Sequence, residues 1–135
     1  MAARRVDVVE VPGGEFHNRW MEAQDRIKGV DRELQAGFPG NALILAVQAV
    51  IAANDAFTIR NLGERCASDR HEDAEAVFAR VKAVPGTKEA RGHLVKLLKA
   101  KGSIEYSGKP VDREKAQRLS EHARRFVEFV RKNLK

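Results

Sequence analysis

Between Ala42 and Ala53 the chain runs through twelve residues in which Gln48 is the one polar side chain. A helix wound from that stretch has no polar face, so it must be surrounded rather than laid on a surface. It is also too short to cross a bilayer, which takes roughly 20 apolar residues. The rest of the chain therefore has to supply its cover. Asn41 is placed to cap this helix, which extends to about Leu62 and stops at Gly63. Either the helix sits at the centre of the fold or part of it meets a second copy of the chain. The second arrangement, a homodimer, is the expected one.

The covering segments are helical in pattern. From Phe16 to Gln35 the apolar positions Phe16, Trp20, Ala23, Ile27, Val30 and Leu34 fall on one stripe, and Gly37, Pro39 and Gly40 end it. Ser68 or Asp69 can cap a helix over His71–Ala83, with Ala74, Val77, Phe78 and Val81 turned inward. Thr87 can cap the next, to about Lys101, on Ala90, Leu94, Leu97 and Leu98, with Gly102 as its stop. A linker over Ser103–Pro110 precedes the last helix, capped by Asp112, with a stripe of Ala116, Leu119, Ala123, Phe126, Val130 and Leu134. Residues 64–70 read as a loop, and residues 1–15 as a flexible or edge-like tail ending at Pro12-Gly13-Gly14.

With 135 residues, 43% of them hydrophobic, there is material for one core. The expected fold is all-α: an antiparallel, up-and-down bundle of four to five helices spanning 16–135 as a single domain. The lone Cys66 excludes an internal disulfide and favours a reducing compartment. Arg4 and Arg5 are not followed by an apolar run, so no secretory leader is read. The expectation is a soluble cytoplasmic protein with no membrane association.

Chemistry is harder to find. The histidines His17, His71, His93 and His122 stand in none of the spacings that put two metal ligands on one helical face, and no glycine-rich phosphate loop is present. No metal or cofactor is therefore expected. Three features remain. Asn54-Asp55 interrupts an apolar helix, and a buried carboxylate is costly without a partner. Asp55 must reach the surface, pair with a base such as Arg60 or Arg65, or line a cleft. Arg65 precedes His71 by five intervening residues. A guanidinium can clamp a phosphate while an imidazole moves the proton of an RNA 2′-hydroxyl. With 15 arginines in the chain, that spacing alone also arises by chance. Finally, the net charge is +6, and residues 111–135 carry eight bases against four acids. Such a face attracts phosphate polymers, and it is also what an ordinary solvated helix looks like. Arg60, Arg70, Arg124 and Arg125 are the candidates for contacts to a nucleic-acid backbone.

The order of Ala46-Val47-Gln48-Ala49-Val50-Ile51-Ala52-Ala53-Asn54-Asp55-Ala56, then Asp69-Arg70-His71-Glu72-Asp73-Ala74, then Ile104-Glu105-Tyr106-Ser107, then the Ala116, Leu119, Ala123, Phe126, Val127 and Val130 stripe resembles the HEPN family (higher eukaryotes and prokaryotes nucleotide-binding) in its small bacterial form. The likeness covers about residues 16–135. It implies a helical bundle, commonly a homodimer, that binds nucleotide or RNA. Many members are metal-independent RNases and toxins, paired with a nucleotidyltransferase-type antitoxin. The family's Arg-x(4–6)-His motif falls on Arg65 and His71, and its preceding polar residue on Asn54 or Asp55. His71 departs from the pattern by opening a helix after a loop. Other members have lost the motif and serve as binding modules. The alternative reading, carried by the apolar second helix, is a non-catalytic module for protein–protein interaction or dimerisation.

Overall fold

The computed structural model describes residues 6–106 and 108–134, without the side chains of residues 105–106. Expectations for residues 1–5, Ser107, Lys135 and the Tyr106 side chain lie outside what is described. The fold is an all-α helical bundle of five helices: α1 (Phe16–Ala36), α2 (Pro39–Leu62), α3 (His71–Ala79), α4 (Thr87–Tyr106) and α5 (Arg113–Lys132).

The apolar run becomes the axis of the molecule. α2 packs against all four other helices. Ala42, Leu43, Ala46, Val47, Ala49, Val50, Ala52, Ala53, Ala56, Phe57 and Ile59 are all buried. By length and hydropathy α2 would qualify as a membrane span, but 78% of its most apolar window is buried inside the bundle. Its many alanines let neighbouring backbones come close. At Gly29 of α1 an added Cβ would stand 2.9 Å from Leu45 Cδ1 of α2. The predicted stripes face α2 as expected, with Ala23, Val30 and Leu34 of α1, Leu94 and Leu97 of α4, and Ala116, Ala123, Phe126 and Val130 of α5 all buried. Phe57, Phe78, Phe126 and Phe129 form an aromatic cluster where α2, α3 and α5 meet, with ring centroids 5.3–6.4 Å apart.

Local chemistry sets the boundaries. Gly37 takes φ +88°, and its N–H and that of Phe38 cap the α1 carbonyls of Leu34 and Glu33. Pro39 then opens α2, two residues ahead of the expected Asn41 cap, because a first-turn residue loses nothing by lacking an N–H. Gly63, at φ +71°, ends it. Asp112 caps α5 as expected, its Oδ1 accepting from Lys115 N at 2.8 Å. The α3 cap position is Arg70, with no side-chain cap, rather than Ser68 or Asp69, and α3 ends at Ala79 rather than Ala83. α4 runs through Gly102 to Tyr106. A lone glycine costs a helix only about 1 kcal/mol, less than packing returns.

Two segments differ from expectation together. The tail residues Val8–Glu10 (β1) pair antiparallel with Glu64–Cys66 (β2) of the expected loop, in the register Val8–Cys66, Val9–Arg65 and Glu10–Glu64. Val11 N to Gly63 O (2.8 Å) and Ala67 N to Asp7 O (3.0 Å) extend the ribbon at both ends. A 3₁₀ turn at Gly13–Glu15 then leads into α1.

Truncating the aromatic cluster should hurt the fold most. Phe126→Ala, fully buried, should cost about 3–5 kcal/mol in urea unfolding. Met21→Ala, on the exposed side of α1, should stay within about 0.5 kcal/mol of the parent.

Candidate functional site

A cleft of about 190 Å³ opens where the C-terminal half of α2, β2 and the following loop, the start of α3 and the end of α4 converge. Four sequence candidates line it together: Asn54, Asp55, Arg65 and His71. Arg70 lines it as well, with Arg19 from α1 and Lys101 from α4. That gathers four permanent cations against two carboxylates, Asp55 and Asp69, before His71 is counted.

The floor is built by α2. Asn54 is 3% exposed, and its Nδ2 donates to the Ala74 carbonyl of α3 at 3.4 Å. Its Oδ1 has no hydrogen-bond partner among the described residues. A buried acceptor left in that state is costly unless something donates to it. Asp55 is 7% exposed. Its Oδ2 lies 3.6 Å from Arg19 Nε, and Arg19 also holds Glu22 at 3.1 Å. Burial pushes the Asp55 carboxyl up to about 6, against the opposing pull of Arg19 and Arg65 and with a smaller push from Glu22. The ion pair thus lowers the cost of the buried charge without cancelling it.

The wall is held by the two-stranded ribbon. Arg65 sits opposite Val9, and its Nη1 donates to the Cys66 carbonyl at 3.2 Å. The Cys66 thiol donates to the Ser68 carbonyl at 3.6 Å, and burial pushes its pKa upward. Ser68 Oγ accepts from Arg70 N at 3.1 Å, folding the loop back before α3 begins. Lys101 Nζ donates to the Asp69 carbonyl at 3.3 Å, fastening the loop to α4. His71, the first residue of α3, is over one-third exposed, with Nε2 3.4 Å from Glu72 Oε1. Beyond His71 the surface continues into a depression of about 350 Å³ bordered by Arg70, Glu72, Lys101 and Gly102.

The other backbone-contact candidates fall elsewhere. Arg60 is exposed on the last turn of α2 and does not line the cleft. Arg124 lines a groove between α1 and α5, where it pairs with Asp31 and Glu121; Arg125 pairs with Glu121 at 3.5 Å. Both of these α5 arginines are thus engaged by carboxylates, Asp31 of α1 and Glu121 of α5 itself. Arg19 was missed because it is separated from Asp55 by 36 positions and sits beside the core stripe of α1, looking like an ordinary helix-surface base. Lys101 was visible only as one of several lysines on α4.

Chemically, the cleft offers an array of cations for a phosphate-sized anion, an open acceptor for a hydroxyl or amide donor, and a carboxyl that titrates near neutrality. Its volume is below the roughly 300 Å³ of a typical small-molecule pocket, which suits one group of a larger ligand. No protein-family model matches this chain, and no curated protein is significantly similar to it.

Because its folded pKa is raised, Asp55 binds its proton more tightly in the native state than in the unfolded chain. Its contribution to stability therefore falls as pH rises from about 4 to about 6 and is flat above that. Asp55→Asn should accordingly stabilise the protein by about 2–3 kcal/mol at pH 8, with the gain shrinking to nothing near pH 4. Chemical denaturation of both proteins across that range checks it.

Proposed function

We propose that the cleft holds one phosphodiester of an RNA strand and cleaves it, and that two copies of the chain close the cleft between them. The observation that carries this is the convergence of Arg19, Arg65, Arg70, Lys101 and His71 on a buried Asn54–Asp55 pair whose acid titrates at about 6. The resemblance to HEPN proteins points the same way.

In this mechanism Arg65 and Arg70 hold the phosphate oxygens and offset the charge that builds on them. Asn54 Oδ1 receives a ribose or base donor. Ionised Asp55 takes the 2′-hydroxyl proton as the 2′-oxygen attacks phosphorus. His71 gives a proton to the 5′-oxygen as the P–O5′ bond breaks. The products are a 2′,3′-cyclic phosphate and a 5′-hydroxyl end.

What supports a second copy is the side of α2 that the bundle leaves open. Asn41, Ile44 and Gln48 are exposed along it, and Ile51 and the buried Asp55, next in the same three- or four-residue spacing, line the cleft. Ile44 is 39% exposed and the neighbouring Phe38 56%. A partner docked along that stripe covers apolar surface and gives a shallow site a second wall. A nucleotidyltransferase-type antitoxin, implied by the family resemblance, would act in the cytoplasm by covering the same cleft. The exposed Phe38, Ile44 and Met21 also favour a second reading, a non-catalytic interaction module built on the same face.

The test is labelled single-stranded RNA with EDTA present. The parent protein should cleave it, and His71→Ala and Arg65→Ala should each lose about 100-fold or more. Asp55→Asn should also lose the acid limb of the pH profile near 6. Ile44→Arg should turn a dimer into a monomer by light scattering and reduce cleavage with it. Cleavage unchanged in His71→Ala would remove this mechanism. A dimer that neither binds nor cuts RNA would leave the interaction module.

A further inference from the structure

Away from the cleft, α4 and α5 bring two histidines into direct contact. His93 Nδ1 and His122 Nδ1 lie 2.9 Å apart, with ring centroids at 5.1 Å and the planes tilted by 39°. They are 29 positions apart in sequence, so only the packing of the two helices creates the pair. Both rings are part-exposed and reachable from solvent. Burial, with the nearby charges of Lys96 and Arg125, pushes both pKa values below the ordinary histidine value, and Arg118 adds to the effect at His122.

A shared proton is one occupant for two facing imidazole nitrogens; a metal ion is another. Divalent zinc, nickel or copper binds imidazole at about 2.05 Å. Two such bonds at a right angle set the nitrogens roughly 2.9 Å apart, and at the tetrahedral angle roughly 3.3 Å. The observed separation meets the first value and is within about 0.4 Å of the second, so the two nitrogens already stand at a chelating distance. Glu89 stands one turn before His93 on the same face of α4 and counters the local positive charge.

We propose that His93 and His122 form a two-histidine site for a borderline divalent transition-metal ion, clamping α4 to α5. Water fills the remaining positions, since no group of three or more His, Cys, Asp or Glu converges among the described residues. Lys96, Arg118 and Arg125 hold the affinity below that of a three- or four-ligand structural site. The assignment is independent of the RNA cleft, which shares none of these residues.

Calorimetric titration of the full chain with zinc, nickel and copper salts tests it, alongside thermal melts and the copper(II) spin-resonance spectrum. One ion per chain should bind and raise the melting temperature by roughly 3–6 °C. The copper spectrum should show splitting from two nitrogens. His93→Gln and His122→Gln, at part-exposed positions, should each weaken binding by about tenfold or more. His71→Ala should leave it unchanged. Absence of binding at one ion per chain overturns the proposal, as does binding that survives both glutamine variants or vanishes in His71→Ala.

Discussion

Everything in this structure depends on one helix that has to be covered on most of its sides. α2 carries apolar residues around almost its whole circumference, and only contact with all four other helices satisfies it. That requirement makes the chain a bundle rather than a string of surface helices. It also decides where polar chemistry can sit. Asn41 and Gln48 lie on the side the bundle leaves open, but a buried polar residue on α2 is either an error the fold must tolerate or a group presented at a gap in its cover. Asn54 and Asp55 stand at that gap, where the α3 and α4 ends, β2 and Arg19 leave space between them.

The helices and their inner faces were legible in the sequence because periodicity is a local signal. The stripes of α1, α4 and α5 need only about 15–20 residues to declare themselves, and each residue named from the pattern lies in or against the core. The ribbon was not legible. Three residues of alternation are too few to recognise, and Val8–Glu10 finds its partner 56 positions along the chain at Glu64–Cys66. Nor was the extension of α4 through Gly102, because a glycine reads as a stop until packing is known. Of the site, the four catalytic candidates and Arg70 could be named because each was locally odd: a polar pair in an apolar helix, a base and an imidazole beside a helix start. Arg19 and Lys101 looked like ordinary solvated bases, and only the meeting of α1, α2 and α4 distinguishes them. Basic character by itself does not single out the cleft, since Arg124 and Arg125 lie outside it and are engaged by carboxylates on α1 and α5.

The ribbon links the fold to the site. Without pairing, Glu64–Arg70 would be a free loop, and Arg65 would pay for its own ordering each time a ligand arrived. Fixed by β1 on one side and by the Lys101–Asp69 contact on the other, it is already in place. Pre-ordering of this kind moves the entropic cost from binding to folding. The N-terminal segment is therefore part of the site's support, although none of residues 8–10 lines the cleft.

Asp55 is the residue that stability alone does not explain. Its neighbours on the helix are Ala52, Ala53 and Ala56, so a small apolar residue at this position would suit the same packing. The Arg19 contact is a single one at 3.6 Å, and the carboxyl is still raised to about 6, so attraction does not recover the cost of burial. Beside it, Asn54 keeps an acceptor with no partner among the described residues in the same interior. Two adjacent polar groups, each costly and each bordering one cation-lined cleft, share one economical cause. A ligand that donates to Asn54 and brings negative charge to the arginines would offset both costs at once.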